Sequence, residues 1–314
     1  MTSGDDGRKP GWVRIIELLD ERPGASVQIC DGERPELLAA GADHAVYTTE
    51  ILDEKGRRRT VAVRLPRLDS APDQPARANR AVAVQRLLAD GSPGFEVPEP
   101  LAVIRCPEGL VVVEQRMPGR ELAEIGVDGD VDPVATTVRV AAGCHELDTA
   151  PFREMLDGYP TRRDHARACI EIFDDLDLSA FDTAKSWCRA HLPSADPARV
   201  LHGDLLSQNI LVDLRSGDDV RLSVVDWDAV RLGDPAFDLG MVTGGYETVF
   251  GTGQTADDLL EAYRRRTGEA VRRTTVRIYE LWDRGRDVVE AFEHDEPGVD
   301  EIRDRFVELL DRTV

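Results

Sequence analysis

The chain has 314 residues, 41% of them hydrophobic, a length that allows one large domain or two lobes with a sizeable core. Its 39 basic and 60 acidic residues give a net charge of −21, which argues against binding to nucleic acid or to an anionic membrane and permits a cationic ligand, although solubility alone accounts for such a charge. No apolar run is long enough to span a membrane and the N-terminus lacks a signal-peptide core, so we expect a cytoplasmic protein. The five scattered cysteines form no CxxC pair, so we expect neither a zinc site nor a disulfide framework.

The first third of the chain mixes helical and strand patterns. The predicted elements are, in chain order, a helix over 12–20, three strands within 36–67 with a turn at 53–56, a helix over 75–90 and a β-rich run over 109–119. This last run ends in Pro118 and Gly119, which are typical of a linker. We therefore predict that a first, β-rich lobe ends at residue 117.

From residue 118 to residue 314 most segments have helical periodicity, for example 133–148 and 301–313. Two short apolar runs, NILVDL and RLSVVDWDAV, are the exceptions, and the turn residues RSGDD between them predict a hairpin. The fold class predicted by this order is α+β, with a small β-rich lobe and a larger, mainly α lobe.

Polar residues flank the two strands of this hairpin. In VLHGDLLSQNILVD, residues 200–213, Asp204 precedes Asn209 by five residues, and Asp226 directly follows the second apolar run. A strand end holds a carboxylate rigidly at the edge of a cleft. Magnesium prefers carboxylate, amide and phosphate oxygens, and phosphoryl transfer needs a carboxylate that accepts the proton of the attacking hydroxyl. The hairpin therefore brings together residue types that suit phosphoryl transfer.

These residues resemble the signature of the aminoglycoside phosphotransferase family. The matching motifs are His202-Gly203-Asp204 with Asn209, then Asp226-Trp227-Asp228, and then Gly233-Asp234-Pro235 with Asp238. That family of small-molecule kinases includes antibiotic, choline and homoserine kinases. The resemblance implies a bilobal protein-kinase-like fold, ATP or GTP as co-substrate, Mg²⁺, and a small-molecule acceptor.

The resemblance also implies roles for single residues. Asp204 is the catalytic base or orients the acceptor hydroxyl, while Asn209 and Asp226 hold magnesium. His202 is expected to pack under the catalytic strand and to hydrogen-bond backbone, and Asp238 to fix the loop backbone from the start of the next helix. For Asp228, contact with metal or substrate and a capping role stay equally open.

By the same resemblance, the N-terminal lobe binds the nucleotide. Gly41 and His44 fall in the loop expected over the phosphates, and Ala62 and Arg64 occupy the strand Val61-Ala62-Val63-Arg64. Ala62 and Arg64 share a strand face, so the small residue can admit the adenine while the cation reaches phosphate. Arginine stands where the family has lysine, and its planar fork needs more room than an ammonium group.

The partner of this arginine is a second departure from the family. Ala81 occupies the place of the expected helix glutamate, and Asn79 and Gln85 are the nearest polar residues. Asp73 and Asp226 both remain open as partners of Arg64.

The inter-lobe hinge is expected at residues 114–117, where Glu114 and Arg116 are candidate nucleotide contacts; a simple strand end is an equally good interpretation of either side chain.

Two hypotheses follow, an active small-molecule kinase and a catalytically weak nucleotide-binding scaffold. The first is favoured because only the lysine and the helix glutamate are missing. Acidic side chains of the second lobe could bind amines of an acceptor, although each is more often a solvated helix face. The candidates are Asp157, Asp164, Asp174, Asp175, Asp177, Glu247, Asp283, Asp287, Glu290 and Glu293.

Overall fold

The protein is described by a computed structural model, which covers residues 10–20, 27–41, 44–67, 73–91, 93–128, 131–156, 158–214, 220–246, 249 and 253–314. The chain divides into two compact units. The N-terminal unit comprises residues 1–91 and 97–118, and the C-terminal unit comprises residues 92–96 and 119–314.

The described part of the N-terminal unit is built on an antiparallel sheet with two helices. Its elements are α1 (Gly11–Asp20), β1 (Val27–Ile29), β2 (Glu36–Ala40), β3 (His44–Asp53), β4 (Arg58–Pro66), α2 (Gln74–Gly91), β5 (Pro100–Cys106) and β6 (Gly109–Gln115). The sheet order is β1-β3-β4-β6-β5, and β2 also pairs with β3. The predicted helices, the three strands and the turn at Asp53–Gly56 are confirmed; the Gly56 N–H donates to the Asp53 carbonyl at 2.7 Å.

The two faces of this sheet have different contents. Alternate residues of β4 and β6, such as Val61, Val63, Val111 and Val113, pack in an apolar core with Ile15 and Leu19 of α1. Side chains alternate between faces along a strand, so the residues between these valines face the other way. That second face is the one on which α2 packs, through Ala78 and Val82 against Leu110 and Val112.

The C-terminal unit is mainly helical. Its described elements are β7 (Arg120–Glu121), α3 (Leu122–Asp128), α4 (Pro133–His145), α5 (Arg162–Ile170), α6 (Ser179–Ala190), β8 (Arg199–Leu201), β9 (Ile210–Asp213), β10 (Arg221–Val224), β11 (Arg231–Gly233), α7 (Ala236–Thr243), α8 (Ala256–Thr267), α9 (Arg273–Glu293) and α10 (Val299–Asp311). Phe173, Phe181 and Phe306 stack edge-on or tilted in the core formed with α6, α9 and α10. The predicted α+β class is confirmed.

Two small antiparallel sheets position the loops of this unit. β10 pairs with β9, which confirms the predicted hairpin, and β7 pairs with the other edge of β9. β8 pairs with β11, so the segments after these two strands leave the same small sheet. Among the described helices, none has both the length and the apolar character that a membrane crossing requires.

Candidate active site

The loop that follows β8 begins with a buried histidine. His202 is fully buried, and its Nε2–H donates to the Val225 carbonyl at 3.0 Å. Its Nδ1 atom accepts the Asp204 N–H at 3.3 Å. The imidazole lies 4.6 Å from the ring of Trp227, centroid to centroid. The predicted structural role of His202 is therefore confirmed: it ties the loop after β8 to the end of β10.

Asp238, at the start of α7, holds the backbone of the same loop. Its two carboxylate oxygens accept the N–H groups of His202 and Gly203, each at 2.9 Å, which confirms the predicted role. His145 Nε2 lies 3.0 Å from the Asp238 carboxylate, and His145 Nδ1 lies 2.8 Å from the Tyr263 hydroxyl. Burial alone would raise the pKa of Asp238, but the His145 hydrogen bond and charge hold it below its ordinary value. The carboxylate therefore stays ionised.

Gly203 is required in this loop for two reasons. Its φ is +84°, a conformation that side chains other than glycine's rarely adopt. A Cβ atom at this position would also lie 2.0 Å from the Ala229 carbonyl oxygen. The backbone next to Asp204 is thus fixed by a hydrogen-bond clamp and by a close backbone approach.

Asp204 and Asn209 are in direct contact. The Asn209 amide nitrogen donates to the Asp204 carbonyl at 2.9 Å and to its carboxylate at 3.0 Å. Burial, with the charge of Asp226 adding to it, raises the pKa of the Asp204 carboxyl, and the hydrogen bond from Asn209 and the charge of Arg286 partly oppose this. Asp204 is thus a half-buried carboxylate, oriented by an amide and close to a second carboxylate.

Asp226 lies two residues after the end of β10. Its φ and ψ are 63° and 67°, the left-handed region that few residues other than glycine adopt. Residues with such strained backbone conformations cluster at functional sites. They persist only where the surrounding packing holds them in place. Trp227 supplies that packing: it is fully buried, its indole N–H donates to the Val224 carbonyl at 3.0 Å, and its ring stacks with Phe95.

The donor set suits a magnesium ion held mainly by phosphate oxygens. The Asn209 amide nitrogen is committed to Asp204, so the side-chain oxygen is the atom that can bind a cation. Within the described residues no group of three or more His, Cys, Asp or Glu side chains could hold a metal ion by itself. A hard cation that takes few protein ligands and several phosphate oxygens fits this arrangement.

Helix α9 brings further charges to Asp204. Arg286 donates to the Asp283 carboxylate at 3.0 Å and lies over the ring of Trp282, at 5.2 Å from its centroid. Burial raises the pKa of Asp283, and the charge of Asp204 adds to the effect. Arg286 lowers the pKa of Asp204, so both α9 residues are within electrostatic range of this carboxylate.

Other acceptor candidates have different surroundings. Asp164 accepts the Thr161 hydroxyl at 2.6 Å at the N-terminus of α5, and Asp174 pairs with Lys185. The Asp287 carboxylate lies 3.2 Å from the Arg284 guanidinium on α9, one turn after Asp283, which pairs with Arg286. Asp157 and Glu247 lie outside the described residues. Asp175, Asp177, Glu290 and Glu293 are exposed.

In the N-terminal unit, the residues predicted to contact nucleotide lie on β3, β4 and the segment between β2 and β3. The Gly41 N–H donates to the His44 carbonyl at 2.9 Å, and His44 is the first residue of β3 instead of part of the predicted loop. Ala42 and Asp43 lie outside the described residues. Ala62 and Arg64 lie side by side on one face of β4, and Arg64 is only 5% exposed.

The two hinge candidates have different positions. Glu114 lies within β6, between Ala62 of β4 and Pro100 of β5, and its buried carboxylate accepts the Gln85 amide at 2.8 Å. Arg116 follows the strand end, and its N–H donates to the Thr60 carbonyl at 3.4 Å. Purine contacts by either residue stay predictions; the side chain of Glu114 is directed toward α2.

The sequence patterns point to neither His145 nor Arg286, and they assign no role to Asp234. His145 has no local signal, because its partner Asp238 is 93 residues away. Arg286 had one: it follows Asp283 by three residues and precedes Glu290 by four, a helical charge pattern. Asp234 accepts the Ala236 N–H and the Tyr279 hydroxyl, both at 3.1 Å, in the turn that leads into α7.

Comparisons with known proteins identify the family to which this chain belongs. A family model described as "Phosphotransferase enzyme family" matches residues 36–287. Viomycin phosphotransferase from Streptomyces vinaceus is 32% identical over 179 residues, which span 52% of this chain and 55% of that protein. The match thus spans about half the length of this curated relative.

Solved structures of aminoglycoside phosphotransferases are similar over nearly the whole chain. The GDP and kanamycin complex of APH(2")-IIia has a TM-score of 0.68 at 15% identity and covers 96% of this chain and 97% of that one. Spectinomycin phosphotransferase in complex with ADP and spectinomycin has a TM-score of 0.56 at 15% identity, over 96% and 93% of the two chains. At these identities the likeness shows the fold, and the predicted bilobal protein-kinase-like fold is confirmed.

Proposed function

Since this chain belongs to the phosphotransferase enzyme family, we propose that it moves the γ-phosphoryl group of ATP or GTP to a hydroxyl group of a small molecule. The observation that carries the proposal is the Asp204–Asn209 contact, in which an amide orients a half-buried carboxylate close to Asp226. Residues 1–117 are proposed to bind the nucleotide, and residues 118–314 to carry the catalytic loop and bind the acceptor.

In the proposed reaction the acceptor oxygen attacks the γ-phosphorus atom. A new O–P bond forms, the bond to the β-phosphate oxygen breaks, and the proton of the acceptor hydroxyl passes to the Asp204 carboxylate. A raised pKa makes Asp204 a better proton acceptor than an exposed aspartate, provided that it stays ionised at the working pH. The Asn209 hydrogen bond and the Asp238 clamp on the loop keep this carboxylate in one orientation.

Asn209 and Asp226 are the residues that would hold magnesium. Bound magnesium would supply positive charge that offsets the negative charge of the nucleotide phosphates. Asp226 is suited to this because its backbone is fixed in a strained conformation by the packing of Trp227.

The acceptor is proposed to carry amines. Asp283, Asp287 and Glu290 lie on successive turns of α9, and Asp283 is in electrostatic range of Asp204. Ammonium groups of an acceptor would pair with these carboxylates and so bring a neighbouring hydroxyl to Asp204. The net charge of −21 would favour the approach of such a cation.

A catalytically weak nucleotide-binding scaffold is the second candidate. It is favoured by one observation, that Arg64 and Ala81 replace the lysine and glutamate of the family pattern. Because Asp204, Asn209 and Asp226 are all present, loss of those two residues weakens phosphate positioning without removing the base or the metal ligands.

The test is nucleotide turnover against a panel of amine-bearing and neutral hydroxyl compounds, with ATP and with GTP. We expect acceptor-dependent release of the nucleoside diphosphate by the parent and its loss in Asp204→Asn. Turnover that is equal in both proteins would exclude Asp204 as the base. Nucleotide binding without turnover for any acceptor would favour the scaffold.

A further inference from the structure

Arg64 carries a charge in the interior of the N-terminal unit. It is 5% exposed and points to the sheet face on which α2 packs, since it alternates with the core residues Val63 and Leu65. A guanidinium stays charged at any physiological pH, and a buried charge is costly unless a carboxylate balances it. Neither Ala81 nor Asn79 on α2 can supply a negative charge.

Asp73 was one of the two partners that the sequence left open. Its side chain is 62% exposed, and its carboxylate lies 3.2 Å from Arg77 Nε. An exposed aspartate that pairs with a neighbouring arginine is a poor counterion for a buried group, because water and the competing cation both screen it.

The strand register places a different carboxylate on the same face as Arg64. Ala62 is opposite Glu114 and Arg64 is opposite Val112 in the antiparallel β4–β6 ladder. Opposite residues share a face, so Glu114 is the diagonal neighbour of Arg64, at a spacing of roughly 7–8 Å that long side chains bridge. Glu114 is 4% exposed, so both charges of this diagonal pair are buried.

Helix α2 fixes the orientation of this glutamate. Gln85 is fully buried and donates its amide to Glu114 Oε2 at 2.8 Å. It lies on the stripe of α2 that also contains Ala78 and Val82, which pack on β6. One oxygen of the Glu114 carboxylate is thereby engaged by the helix, and the charge is held on the face that Arg64 shares.

We propose that Glu114, held by Gln85, is the carboxylate that balances and aims Arg64, in the place of the helix glutamate that the chain lacks. The cation is an arginine, and its counterion comes from the neighbouring strand of the sheet instead of from α2. As a positioning device for the nucleotide phosphates this rests on the proposed function, whereas the pairing of the two charges does not.

The pairing is tested by a double-mutant cycle of Arg64→Met and Glu114→Gln, measured by chemical unfolding without nucleotide or acceptor. Each single variant should unfold at a lower denaturant concentration, because it leaves one buried charge unbalanced. The double variant should have an unfolding midpoint, in denaturant concentration, that is no lower than that of the less stable single variant. Additive losses, or coupling of Arg64→Met to Asp226→Asn instead, would overturn the proposal.

A second pair on the same sheet provides a matched control. Arg58 and Glu50 form a cross-strand ion pair, but their side chains are 59% and 34% exposed. The cycle of Arg58→Met and Glu50→Gln should be nearly additive, since exposed pairs contribute little. Coupling as large in this pair as in the buried one would show that burial is not the cause and would overturn the proposal.

The positioning role needs a readout that a purely structural role would not change. Glu114→Gln should weaken magnesium–nucleotide binding by about tenfold in the parent, the loss expected when one charge-assisted contact is disturbed, and have no further effect in Arg64→Met. An equal loss of affinity in both backgrounds would overturn the role.

The double exchange of Gln85→Glu with Glu114→Gln moves the carboxylate from β6 to α2 and keeps the same two side-chain types in contact. It should recover the unfolding midpoint that Glu114→Gln alone loses, and no recovery would contradict the charge pairing.

Discussion

The loop after β8 in the C-terminal unit and the Arg64 face of the N-terminal sheet both hold a charged side chain in place, but they do so in different ways. In the loop, Asp204 is oriented by Asn209, five residues away, and the backbone is held by Asp238. On the sheet, Arg64 has its proposed counterion on another strand, 50 residues along the chain. In the loop few substitutions are tolerated, because a side chain other than asparagine at position 209 would not place an amide N–H at the Asp204 carboxylate.

A packed sheet face gives more freedom. An aspartate or glutamate whose side chain enters the interior beside Arg64 can supply the negative charge, whether it lies on α2 or on β6. In this chain the family residues are present at the loop, where Asn209 reaches Asp204 across five residues. At the sheet face the family lysine and helix glutamate are absent, and strand register together with the packing of α2 sets which carboxylate lies beside Arg64.

The largest expected effect is at the loop. Asp204→Asn removes the proposed proton acceptor while leaving the ligands proposed for magnesium, so turnover should fall by roughly two to four orders of magnitude with nucleotide affinity retained. Asp226→Asn should weaken magnesium-dependent nucleotide binding as well as turnover. Nucleotide titration and steady-state turnover of both variants check this, and unchanged binding in Asp226→Asn would contradict its assignment to metal.

The second effect is on stability. Asp238→Ala removes the acceptor of two backbone N–H groups and His145 from a fully buried site, so the free energy of unfolding should fall by about 3–5 kcal/mol. Asp132→Ala is the matched control: Asp132 also accepts two backbone N–H groups, at the exposed N-terminus of α4, and its loss should cost about 1 kcal/mol. Equal losses in the free energy of unfolding, measured with urea, would show that the Asp238 hydrogen bonds to the loop stabilise the protein no more than a helix cap does.

A third prediction concerns Asp234, which is buried in the turn before α7. Burial raises its pKa from the ordinary value of 3.8 to about 6. A carboxyl group whose pKa is higher in the folded than in the unfolded protein favours folding when it is protonated. This contribution to the free energy of unfolding is complete at a pH below the pKa of the unfolded chain, and it is lost as the pH rises through the pKa of the folded protein. Asp234→Asn has no such dependence. The stability of the parent relative to the variant should therefore fall between pH 4 and pH 7, by at most about 3 kcal/mol, as measured by urea unfolding across that range. A constant difference would contradict the raised pKa.

On the sheet face we expect a smaller effect. Arg64→Ala should weaken nucleotide binding by roughly 10- to 100-fold, the value of a charge-assisted contact. Arg64→Lys separates two requirements of this face. Activity close to that of the parent means that the face needs only a cation, and a loss near that of the alanine variant means that it needs the planar guanidinium. If Arg64→Ala binds nucleotide as tightly as the parent, the sheet face has no part in the mechanism.

The smallest effect is a shift of the pH profile. Asp204 must be ionised to accept a proton, so the rate should fall as the pH drops through its raised pKa. Arg286 lowers that pKa, and Arg286→Gln should therefore move the acidic limb of kcat/KM to higher pH. Arg303→Gln, on the exposed pair with Asp300, is the control and should leave the limb unchanged. An acidic limb that is unchanged in Arg286→Gln would mean that Arg286 does not act on Asp204.

The sequence alone determined the order of elements and the composition of the loop. The helix and strand periods, the turn residues and the motif from His202 to Asn209 are local patterns, and the structural roles assigned to His202 and Asp238 were confirmed. Local patterns are predictable because neighbouring residues set them through backbone preference and side-chain spacing.

Tertiary structure decided what lies around these local elements. His145 meets Asp238 only because α4 packs near α7, Arg286 reaches the electrostatic range of Asp204 only through the placement of α9, and Gln85 contacts Glu114 only because α2 packs on β6. Each of these partners is distant along the chain, and no spacing rule in one sequence connects them. Which carboxylate faces Arg64 depends on strand register and on the helix that covers the sheet, and both are set by the packing of the whole unit.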